Sequence, residues 1–182
     1  KAEELVRELK RLLDKLREES KKVIEELKRR LDEVAKKSED VVEEMRRLLE
    51  ELKEKIERRL KDKGEDLKRA EEKLKDIERE IDKLEKESRK NLEDIKRDLE
   101  RLLKESEDDL KRLEDEIDTV RKDGNIREEV LRDVRRKVED HRRKLDEIRK
   151  RVTDEARRHE RELEKALEKI RRDIRRIEEE LR

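Results

Sequence analysis

Ser20, Ser38, Ser88, Ser106, His141 and His159 are the residues of this chain whose types could do chemistry together. A serine hydroxyl beside an imidazole is the beginning of a nucleophile and its base, and an imidazole is a metal ligand. Nucleophilic catalysis also needs a group that orients the base, donors for an oxyanion, and a cavity for substrate. No carboxylate falls in the register of the core residues described below, and a filled helical bundle offers no cavity. Metal binding fares no better. The histidines stand eighteen residues apart on one helix, about 27 Å, and cannot share an ion. One imidazole with two neutral hydroxyls is a poor ligand set for zinc, and with no cysteine there is no thiolate site and no disulfide. The expectation is therefore no catalytic, cofactor-binding or metal residue. Neutral imidazole and hydroxyls satisfy one another and fix helix register and pairing.

The elements that must position these side chains follow from the aliphatic pattern. From Ala70 the candidates for burial run Leu74, Ile77, Ile81, Leu84 and Ser88, then Leu92, Ile95, Leu99, Leu102 and Ser106, then Leu110, Leu113, Ile117 and Val120. The steps of four and three residues recur every eighteen positions, which is five turns at 3.6 residues per turn, the pitch of a straight helix. A heptad begun at Ala70 would meet Asp109, Arg112 and Glu116, and an eleven-residue repeat Glu85, Lys96 and Glu107. The same interval links Ala2, Ser20, Ser38 and Ile56, then Leu9, Leu27 and Met45, and, further along, Val134, Val152 and Ile170. Val6, Ile24 and Val42 widen the first stripe, which reads as a broader contact between helices.

Two glycines punctuate the chain. Gly64 lies in a Lys-Asp-Lys-Gly-Glu-Asp run and Gly124 in Lys-Asp-Gly-Asn-Ile. A glycine just past a helix end supplies the left-handed conformation that caps it. Asp66 after the first, and Asn125 with Glu128 after the second, read as amino-terminal caps. Three helices near 1–63, 66–122 and 126–182 follow, each roughly 85–95 Å long. Short connections force antiparallel neighbours, so residues 1–182 read as one all-α, up-down-up three-helix bundle of nearly straight helices.

The polar residues agree with this topology. Ser20 and Ser106, like Ser38 and Ser88, are equidistant from position 63; Ser106 and His141, like Ser88 and His159, are equidistant from a point beside Gly124. Folding at the two turns therefore stacks Ser20, Ser106 and His141 in one layer and Ser38, Ser88 and His159 in another. The next layer by the same rule is Ile56, Ala70 and Ile177. Asn91 falls opposite Ala35 and Ala156, either as an ordinary residue at the stripe edge or as an amide given room beside the His159 layer.

Composition excludes several classes. Charged residues make up 65% of 182, with no Pro, Phe, Tyr or Trp and two Gly. Dense charge usually signals a solvated chain, but Leu, Ile and Val number 46 and 59 cations balance 59 anions, which opposes disorder. The zero net charge argues against nucleic acid as a partner. No apolar run is long enough for a membrane, and the charged beginning is no signal peptide, so no targeting is read.

On the eighteen-residue repeat, the glycine turns, the Leu/Ile/Val core and the mixed Glu/Lys/Arg surface, the whole chain resembles de novo designed, parametrically generated three-helix bundles without superhelical twist. The resemblance implies a hyperstable structural scaffold with no natural biochemical activity, no cofactor, no enzyme function and no partner. The monomeric state follows from three stripes satisfied within one chain. The alternatives are a helical interaction module or spacer, and a histidine-based pH-responsive bundle.

Overall fold

The computed structural model describes residues 2–59, 64–124 and 128–182, the side chains of residue 2 and of 64–66 aside. Three helices account for almost all of them: α1 (Ala2–Arg59), α2 (Gly64–Asp123) and α3 (Glu128–Glu180), with no strand among the described residues. Glu, Lys, Arg and Leu are strong helix formers, and no proline interrupts them. End charges suit the helix dipole, with Glu3 and Glu4 opening α1, Arg58 and Arg59 closing it, Arg121 and Lys122 closing α2, and Glu128 and Glu129 opening α3. The last turn of α3 has no basic residue of its own. Cations from the neighbouring helices serve it instead: Arg59 donates to the Leu181 carbonyl, Lys55 pairs with Glu178 at 3.0 Å, and Lys73 with Glu180 at 2.7 Å.

The chain packs as two compact units, Lys1–Arg30 with Ile95–Glu155, and Leu31–Asp94 with Ala156–Arg182. In the first, Val6, Leu9, Leu13 and Leu16 of α1 meet Leu110, Leu113 and Ile117 of α2 and Val134, Val138 and Leu145 of α3. The start of α1 thus lies against the end of α2 and the start of α3. In the second, Leu52 and Ile56 near the end of α1 meet Leu67 and Ala70 at the start of α2, and Ile174 and Ile177 near the end of α3. Both units show the antiparallel up-down-up order of a three-helix bundle, and Ile56, Ala70 and Ile177 share one cluster as the spacing requires.

The helix limits differ from the expected ones at the connections. Gly64 is helical and is the first residue of α2, which therefore begins two residues before position 66. Glycine is tolerated at a helix start, where the intrahelical bonds are not yet all made. The side chain of Asp66 and the whole of Asn125 lie outside the described residues, so the caps proposed on them do too. Gly124 follows the last residue of α2 with φ +66°, in the left-handed region open to glycine. A Cβ there would meet nothing within 4 Å, so any cost of substitution is conformational.

Asn91 is exposed, whereas Ala156 is buried against Val34 and Leu92 with Ala35 packed on them. The two alanines belong to one apolar cluster, and the amide stands outside it. Removing the side chain of the fully buried Ile170 (Ile170→Ala) is expected to cost about 2–5 kcal/mol in denaturant unfolding, while Asn91→Ala stays within about 0.5 kcal/mol of the parent.

Candidate functional site

All six polar residues of the two expected layers are buried, none more than 6% exposed. Each sits where a stripe position of its helix faces the other two, so helical periodicity alone delivers it to the interior. Buried hydroxyls and imidazoles must then find partners among themselves or on the backbone.

The layer in the second unit closes on one ring nitrogen. His159 Nε2, from α3, lies 3.2 Å from Ser38 Oγ of α1 and 3.2 Å from Ser88 Oγ of α2. Ser38 Oγ also donates to the Val34 carbonyl at 2.7 Å, one turn back on its own helix. A hydroxyl has one proton, so Ser38 receives the bond from His159, and the neutral ring carries its hydrogen on Nε2. One N–H thus ties all three helices together.

In the first unit the expected trio is only partly assembled. His141 Nε2 is 3.1 Å from Ser106 Oγ, but Ser20 Oγ, although buried, makes no hydrogen bond among the described residues. Ser106 occupies Nε2, and the other ring nitrogen faces elsewhere. His141 Nδ1 is buried without a hydrogen-bond partner, and the nearest ionisable group is Asp109, whose Oδ2 is 3.8 Å away. Asp109 in turn pairs with Lys144 at 3.2 Å.

Two features beside His141 lie outside the core register. No carboxylate enters the core register, but one stands at its edge beside a buried histidine: Asp109 lies one turn beyond Ser106 and is 29% exposed. The bundle is also not closed at that point. A groove of about 480 Å³ runs between α2 and α3, with Asp109, Leu113, Lys137, His141 and Lys144 in its walls. Lys137 with Glu116 and Lys144 with Asp109 pair across its two walls. The signal in the sequence was the i, i+3 spacing of Ser106 and Asp109, which sets both on one side of α2. Ser106 itself is 4% exposed and is not part of the groove's lining, so its hydroxyl does not face the opening.

Burial holds both imidazoles below their ordinary pKa, because desolvation disfavours the charged ring. At His141 the Asp109 carboxylate opposes that shift and Lys144 adds to it; at His159 Glu162 and Glu160 oppose it.

Outside these layers the surface is laced with ion pairs between helices. Arg46 of α1 bonds Asp82 and Glu85 of α2, Lys169 of α3 bonds Glu80 of α2, and Arg135, Arg142 and Arg149 of α3 bond Glu8, Glu19 and Glu26 of α1. Exposed pairs of this kind contribute about 0–1 kcal/mol each. No group of three metal-ligating side chains gathers among the described residues, and none of their helices is long and apolar enough to cross a membrane. Comparisons with protein-family models, curated proteins and solved structures find no match for this chain. The fold and site together define an antiparallel three-helix bundle with an internal Ser–His hydrogen-bond network.

A histidine whose folded pKa is depressed binds protons more readily when unfolded. Stability should therefore fall as pH drops below the unfolded value of about 6.5, and level off below the folded one. Denaturant unfolding between about pH 7 and pH 5 should show a smaller loss in a His159→Leu variant than in the parent. Equal losses would mean that His159 is not a buried neutral ring.

Proposed function

We propose that this chain is a structural scaffold of the designed-bundle kind, without a biochemical activity of its own, in which buried Ser–His contacts specify how the helices pair. The observation that carries this reading is the single His159 Nε2 within 3.2 Å of hydroxyls on both other helices. Sliding α1 or α2 by a turn would take one of the two hydroxyls away, and sliding α3 would carry the imidazole away from both. Its N–H would then be buried and unpaired, at a cost of about 1–3 kcal/mol. An all-aliphatic stripe offers far less resistance to such a slip, since one leucine replaces another. The eighteen-residue spacing supports helices that need no superhelical twist to keep their stripes in contact.

The charge pattern supports a monomer with no nucleic-acid partner. Acidic positions on α2 are taken up by cations of α1 and α3, and acidic positions on α1 by arginines of α3, so the basic groups serve contacts inside the bundle. Ser106 as a nucleophile would need access that its burial denies, which supports a structural role for the Ser106–His141 contact also.

The test is to make the second layer apolar, as Ser38→Ala, Ser88→Ala and His159→Leu together. The parent should sediment as a monomer at micromolar concentration with one set of amide resonances. The triple variant should keep its helicity and at least the parent's stability, yet show more than one species or more than one set of resonances. A variant as uniform as the parent would contradict the specificity role, and a stable parent dimer would contradict the monomer.

A further inference from the structure

The His141 layer holds a polar atom that the scaffold reading does not use. Nδ1 of a side chain only 3% exposed has no hydrogen-bond partner, although the ring borders an open groove and a carboxylate oxygen lies 3.8 Å away. With Nε2–H donated to Ser106 Oγ, Nδ1 presents a lone pair toward the Asp109 carboxylate; with the hydrogen on Nδ1 instead, that hydrogen points at Asp109 and Ser106 donates to Nε2. A divalent cation can take the place of that proton, held between the nitrogen and the carboxylate oxygen in a largely desolvated corner. An anion would gain nothing there, since Asp109 would repel it.

We infer that the corner of the groove between His141 and Asp109 is a binding site for a borderline divalent metal ion such as Zn²⁺, ligated by Nδ1 and one carboxylate oxygen. Imidazole nitrogen with a carboxylate suits zinc-like ions rather than Mg²⁺ or Ca²⁺, which take oxygen ligands. Tetrahedral bonds of the usual lengths set a ligating nitrogen and oxygen about 3.4 Å apart. A small rotation of the partly exposed Asp109 side chain therefore closes the present 3.8 Å separation. Ser106 plays the part of an outer partner, receiving the ring's other N–H and fixing its orientation, as metal-bound histidines usually require. Two protein ligands leave the remaining positions to water, which the groove admits.

Lys144 is the built-in competitor. Its ammonium pairs with the same Asp109 oxygen at 3.2 Å, on a side chain that is 62% exposed and free to swing away. His159 supplies an internal control, because no carboxylate stands within ion-pair distance of its ring among the described residues.

The experiment is a Zn²⁺ titration of the full chain at pH 7.5, followed through the imidazole nitrogen signals of both histidines. Nδ1 of His141 should shift while His159 stays in place. Asp109→Asn should weaken the binding at least tenfold, and Lys144→Ala should strengthen it several-fold by freeing the carboxylate. Both changes lie on the partly exposed side of the groove, and retained helicity verifies that each variant folds. The site is overturned if Zn²⁺ leaves both imidazoles unmoved, if it shifts the two alike, or if Asp109→Asn binds as tightly as the parent.

Discussion

With no aromatic side chain and 65% of its residues charged, this chain has only aliphatic burial with which to offset the entropy of ordering 182 residues. Every larger feature answers to that shortage. The apolar residues must lie in unbroken stripes, the helices must be long enough to line them up, and the stripes must face one another. Leu9, Leu16, Leu27, Leu52, Ile81, Ile117 and Ile170 are almost wholly withdrawn from water, whereas the charged majority stays outside. An aliphatic core of this kind is strong but uninformative, because leucine packs on leucine in many registers. Information enters through the few positions at which something other than a hydrocarbon is buried.

The two histidines show how differently the same device can be completed. His159 is bracketed by hydroxyls from both neighbouring helices, and the use of the Ser38 proton on the Val34 carbonyl determines which ring nitrogen carries hydrogen. His141 has one hydroxyl partner and one orphan nitrogen beside Asp109. The first arrangement gathers both hydroxyls on one ring nitrogen. The second has an unused bonding capacity next to a groove, which is where affinity for a cation arises. Ser20, expected in the layer with His141, is buried but bonds neither ring nitrogen.

The fold was legible because its causes are periodic. Glycine punctuation, aliphatic spacing and the mirrored positions of Ser38 with Ser88 and Ser88 with His159 are all properties of single positions along a helix, and they carried over directly into clusters and contacts. What escaped was lateral detail. Asp109 is an ordinary surface carboxylate by spacing, and its approach to Nδ1 depends on the direction of two side chains rather than on helix register. The groove beside it lies among charged side chains of α2 and α3 whose directions no periodicity encodes. Asn91 was ambiguous for a related reason: a residue at a stripe edge turns in or out according to its neighbours, and Ala35 and Ala156 close on Val34 and Leu92 instead.

The central claim is that one neutral, buried imidazole joins three helices, and the nitrogen chemical shifts of His159 followed from about pH 8 to pH 5 test it most directly. The account predicts a hydrogen on Nε2 at the alkaline end and a titration midpoint below the ordinary value of about 6.5. A midpoint at or above that value, or a ring carrying its hydrogen on Nδ1, would contradict it.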